Sequence, residues 1–96
     1  MGRARPDLIR VYWPNPPDPR RGVTLERRFR GRTYERRVRP QDYVTQIEAA
    51  AILGTTLMTV NRYVRGKRLR AVTRDGISMI QLRILLRFRQ KRDEGR

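Results

Sequence analysis

The chain has 96 residues, of which 24 are Lys or Arg and 9 are Asp or Glu, for a formal net charge of +15. That length suits one small domain with an appendage, and 38% hydrophobic residues at a mean hydropathy of -0.80 suit a thin core rather than a large cavity. The absence of Cys and His excludes disulfide frameworks, thiolate or imidazole metal sites, and any nucleophile that depends on a His base.

The acids are scattered, with no DxD or ExxE spacing to gather a Mg²⁺ ion, so neither an enzyme nor a metal or other cofactor is expected. The longest apolar run, 49–53, is far below the ~18 to 20 residues that span a bilayer. The opening MGRARPD lacks the apolar segment of a signal peptide. A cytoplasmic, nucleoid-associated protein without membrane contact is therefore expected. A pI near 11.8 is the footprint of a polyanion binder. Only Lys67 and Lys91 are lysine, leaving 22 arginines. Their planar forks suit phosphates and guanine edges, although a GC-rich genome gives the same bias.

Along the chain, residues 1–22 hold every proline but Pro40, which makes this an extended or irregular arm. Within it, 8–13 (LIRVYW) has the make-up of a short strand, whose Tyr12 and Trp13 suit stacking on bases or, more readily, an anchor pinning the arm to the core. Residues 23–42 follow as a basic β-hairpin extension: Val23, Leu25 and Phe29 stand on one side of Arg30-Gly31, Tyr34 and Val38 on the other. Its polar face is expected to carry Arg27, Arg28, Arg30, Arg32, Arg36 and Arg37 as an accessory basic surface for a phosphate backbone, or as a solvated face.

From 43 to 96 the pattern sharpens. Thr45-Gln46-Ile47-Glu48 is a capping box. It predicts a helix running through Ile47, Ala50, Ala51 and Leu53 and ending at Gly54, the residue type suited to the left-handed position past a helix end. Thr55 or Thr56 caps a second helix over 57–64, with Val60, Tyr63 and Val64 inward. Ala50 sits where the helices touch, Gly54 in the turn and Val60 in the buried seam, which is the spacing of a helix-turn-helix. Asp75-Gly76, between 69–74 and 77–80, signals a type I′ hairpin, or wing. A third helix over 81–92 should turn Ile84, Leu85 and Phe88 to the core.

At these residues the chain resembles a known family. The segment 44–88, about half the chain, is similar to the winged helix-turn-helix of the excisionase and MerR-like DNA-binding superfamily. The resemblance rests on Glu48-Ala49-Ala50, Leu53-Gly54, Thr59-Val60, Tyr63, Gly66, Leu69, Ala71-Val72 and Gly76. Two positions depart: Gln81 stands where many relatives have proline, and Ser78 where an aromatic is common. The resemblance implies an α+β fold of three short helices and a wing, with the second helix in the major groove and the wing on the flanking backbone or minor groove.

Helical geometry selects the same surface. With Val60, Tyr63 and Val64 inward, the outward face is Thr56, Leu57, Met58, Asn61, Arg62 and Arg65. Thr56, Leu57, Met58, Asn61 and Arg62 form the expected base-facing set, in which Asn61 suits adenine, Arg62 guanine and Met58 a thymine methyl. Thr56, at the helix N-terminus, suits a phosphate equally. Arg65, Lys67, Arg68, Arg70 and Arg74 are the expected backbone contacts.

The stretch after Ile80 is short for a stable two-stranded coil of ~3 to 4 heptads. A monomer assembling cooperatively on DNA is therefore expected, in the manner of an excisionase-like architectural factor or small transcriptional regulator of a bacterium, phage or mobile element. Two alternatives stay open: a basic RNA-binding or ribosome-associated protein, and a module docking on a recombinase or RNA polymerase.

Overall fold

The computed structural model describes residues 8–95. Residues 1–7 of the expected arm, and with them the MGRARPD reading, lie outside the described residues. The elements are β1 (Ile9–Tyr12), β2 (Val23–Phe29), β3 (Arg32–Val38), β4 (Tyr43–Thr45), α1 (Gln46–Leu53), α2 (Leu57–Arg65), β5 (Val72–Arg74), β6 (Ile77–Gln81) and α3 (Leu82–Glu94). The chain is thus α+β, with three helices and two small antiparallel sheets ordered β1-β2-β3 and β4-β6-β5. Among the described residues no helix is long and apolar enough to cross a membrane.

Local chemistry sets the helix ends. At the start of α1 the Thr45 hydroxyl accepts from the Glu48 amide at 3.3 Å while the Thr45 amide donates to Glu48 Oε1 at 2.8 Å. At its end Gly54 is left-handed, and the amides of Thr55 and Gly54 return to the carbonyls of Ala50 and Ala51. This double closure satisfies carbonyls that the helix would leave bare. α2 starts on Thr56, whose hydroxyl accepts from the Thr59 amide at 3.2 Å. α3 has no side-chain cap. Its first amides, Leu82 and Arg83, donate instead to the carbonyls of Asp42 and Pro40. The 39–42 turn that offers those carbonyls is fixed by Asp42 accepting from the amide and guanidinium of Arg39. The Arg39 side chain, then its amide, hold the Asp42 carboxyl below its ordinary value of 3.8.

Four sequence expectations change. The basic hairpin gains a third strand, because β1 pairs with β2 in the register Val11↔Leu25. The hairpin expected as a wing gains β4, three residues that pair with β6 and bury Val44. The first strand of that hairpin starts only at Val72, since Leu69 turns into the core. Along the expected first helix Ile47 is exposed, and Ile52 is buried with Ala49, Ala50 and Leu53. α3 buries Leu82, Leu85 and Leu86, with Ile84 and Phe88 packed at the margin.

A single apolar cluster unites the parts. Val23, Leu25 and Val38 of the first sheet join Ala49, Ala50, Ile52 and Leu53 of α1, Val60 of α2, Leu69, Ile80 and the buried leucines of α3. Trp13 packs against this cluster, with the Arg89 guanidinium 4.4 Å from its ring centroid, so α3 anchors the described part of the arm.

Candidate nucleic-acid interface

α2 is amphipathic by position. Val60 is fully buried, and Tyr63 and Val64 pack against the core. This pins one side and turns Thr56, Leu57, Met58, Asn61, Arg62 and Arg65 outward, all exposed. Met58 is 73% and Leu57 48% exposed, two large apolar groups standing in water on a charged protein. Residues 56–74 contain six basic side chains and no acidic one, so positive potential is concentrated along α2 and the segment leading to the wing.

The five expected backbone contacts are all exposed, but not all extend freely. The Arg68 guanidinium lies over both rings of the Tyr63–Phe88 pair, 5.0 and 5.5 Å from their centroids. Arg74 lies 4.2 Å over Tyr43, which ties the wing's first strand to β4. Lys67 is left-handed at φ 60, closing α2 with its own amide on the Val64 carbonyl. In the wing turn Asp75 and Gly76 both have positive φ, as a type I′ turn requires.

The six hairpin arginines do not share a face, contrary to the sequence expectation. Side chains alternate along a strand. The register Leu25↔Arg36, Arg27↔Tyr34 and Phe29↔Arg32 therefore puts Arg27, Arg32 and Arg36 on the side of buried Leu25. Arg28 and Arg37 lie on the opposite side, and Arg30 is in the turn. Arg36 donates to both Glu48 oxygens at 3.0 Å, and Arg37 donates to the Arg21 carbonyl.

Gln46 belongs to this site although the sequence expectation does not include it. Its Nε2 donates to Ser78 Oγ on β6 at 2.9 Å, and its Oε1 accepts from Asn61 Nδ2 on α2 at 3.4 Å. One side chain thereby joins the first turn of α1, the outward face of α2 and the β4-β6-β5 sheet. A signal existed: Gln46 lies four residues before Ala50 on the seam facing α2, where a polar group needs a partner. Ser78 on β6 is that partner.

Comparison with protein-family models, curated proteins and solved structures returned no match. The surface must be read on its own chemistry. It offers an amide that pairs two edge atoms of a base, a guanidinium fork beside it, two apolar side chains of methyl-contact size, and a basic surround.

Proposed function

We propose that the protein binds double-stranded DNA with sequence selectivity as a winged helix-turn-helix factor. α2 lies in the major groove and the β5–β6 wing lies against the flanking backbone or minor groove. The observation that carries this reading is the outward face of α2, where Asn61, Arg62, Leu57 and Met58 stand exposed together on a helix fixed by buried Val60. Hydrophobic side chains so exposed are costly in water and useful in a groove, where thymine methyls meet them. With one Nδ2 hydrogen directed at Gln46, Asn61 keeps its Oδ1 and second Nδ2 hydrogen for N6 and N7 of adenine. Arg62 takes guanine, and Arg65, Lys67, Arg70 and Arg74 take phosphates. In the cell this describes a small architectural or regulatory factor of the nucleoid.

The test is competition between specific and scrambled duplexes. Asn61→Ala/Arg62→Ala should remove discrimination, each lost bidentate pair costing about 1 to 3 kcal/mol, while tight salt-sensitive binding persists. A double variant that discriminates as the wild type does contradicts the reading.

A further inference from the structure

The β2–β3 ribbon continues past the core. Val23, Leu25 and Val38 at its base are buried, and every residue from 27 to 37 is exposed. On the core side of this free end, Arg27 opposes Tyr34 and Phe29 opposes Arg32, a square of two cations and two rings. Phe29 and Tyr34 are 47% and 52% exposed, and Arg30 reaches from the turn to hold its guanidinium 5.3 Å from the Phe29 centroid. The ribbon's acids, Glu26 and Glu35, oppose one another on the other face. The square therefore has only cationic and aromatic members. Among the described residues, no buried side chain belongs to this end of the ribbon.

The ribbon's attachment fixes where its end lies. Arg36 grips Glu48 in the first turn of α1, and Gln46 in that same turn holds Asn61 of the α2 face. From Arg36 to Arg32 the strand extends about 13 Å at ~3.3 Å per residue, and the two-residue turn carries the tip a few Å further, to roughly half a turn of duplex. Guanidinium forks take phosphate oxygens in pairs, and the rings can pack on the apolar edges of sugars.

We propose that the ribbon tip is a second contact to the same duplex, gripping the sugar–phosphate backbone roughly half a turn beyond the bases read by α2. The proposal rests on α2 being the duplex-facing helix. Arg30, Arg32, Phe29 and Tyr34 form the contact, and Arg36 with Glu48 sets its reach.

The test compares the full chain with Arg30→Asn/Arg32→Gln on a mixed-sequence duplex of about 30 base pairs across a salt series. Arg30→Asn gives the turn its preferred Asn-Gly pair, so charge is lost without weakening the hairpin. The slope of log affinity against log salt should fall by about 2, at ~0.9 per phosphate contact, and affinity at about 0.15 M salt should fall roughly tenfold or more. On a duplex of about 12 base pairs, little longer than one turn, the wild type should already show the shallower slope and the substitutions should add nothing. Arg10→Gln/Arg28→Gln on the other face should leave the slope unchanged.

An unchanged slope for Arg30→Asn/Arg32→Gln on the long duplex overturns the proposal. So does an equal fall on the short duplex or with the opposite-face pair, and so does a loss confined to single-stranded DNA. The two readings fail separately. The change in slope between the wild type and Arg30→Asn/Arg32→Gln reports the ribbon, whereas the loss of sequence discrimination in Asn61→Ala/Arg62→Ala reports α2.

Discussion

The β2–β3 and β5–β6 hairpins close on the same two-residue turn, with Arg30 and Gly31 in one and Asp75 and Gly76 in the other at positive φ. Each carries a third strand on one edge. Their lengths differ: seven residues face seven in the first, whereas β5 contributes three in the second. The short hairpin is tied to β4 by Arg74 over Tyr43 and to α1 by Ser78 accepting from Gln46. The long one leaves the core at residue 27. Turn chemistry thus makes both hairpins, and the amount of strand beyond the core decides which one projects.

The comparison breaks most severely at the ribbon's base. Gly22 has φ +79, and a Cβ there would lie 2.0 Å from the Val38 carbonyl oxygen. Left-handed strain together with a forced backbone shift should make Gly22→Ala destabilising by about 2 to 5 kcal/mol. Denaturant unfolding measures the loss, and amide exchange should rise in β2–β3 before β5–β6. Equal exchange in both hairpins would count against the ribbon's separate footing.

Glu48 is the next point of attack, because one carboxylate serves both the helix cap and the ribbon tether, with its side chain only 13% exposed. Glu48→Ala should cost about 1 to 3 kcal/mol, whereas Arg36→Gln, which keeps the cap, should cost less. Comparable losses in thermal unfolding would mean that the tether, not the cap, dominates.

The turns themselves sharpen the comparison. An added Cβ at Gly31 or Gly76 meets no atom within 4 Å, so only conformation opposes it. Gly31→Ala and Gly76→Ala should each cost about 1 to 2 kcal/mol. Arg30→Asn should instead stabilise by a few tenths of a kcal/mol, since Asn accepts positive φ more readily than Arg.

The smallest effect is acid sensitivity. The backbone amide and then the side chain of Arg20 lower the Asp18 carboxyl, as Arg39 lowers Asp42, from an ordinary 3.8. Depressed values mean that the folded state binds fewer protons than the unfolded one. Their contribution is therefore full above about pH 4 and is lost as pH falls through the depressed values. The stability difference between wild type and Asp42→Asn should shrink below pH 3.8 and hold steady above pH 5.

What could be read from the sequence divides along the same line as the hairpins. The ends of α1 and α2 and the wing turn depend on residues within five positions of each other, as in Thr45 with Glu48 or Gly54 with Ala51. Such rules are visible in a string of letters. β4 is three residues long and exists because β6 is there to pair with it, and β1 needs the edge of β2. Sequence periodicity cannot name a partner. Composition suggests one polar face for all six arginines, whereas strand alternation splits Arg27 from Arg28 and Arg36 from Arg37. On the site, the exposure of Asn61, Arg62 and Met58 followed from helical spacing, but the link through Gln46 needed three elements in place at once.

The most direct measurement is selection from a pool of random DNA duplexes at about 0.15 M salt, where non-specific phosphate attraction is already weakened. The account predicts an enriched motif holding an adenine and a guanine that lose their preference when Asn61 and Arg62 respectively are changed to Ala. A pool returned without enrichment, despite binding that collapses with added salt, would contradict it.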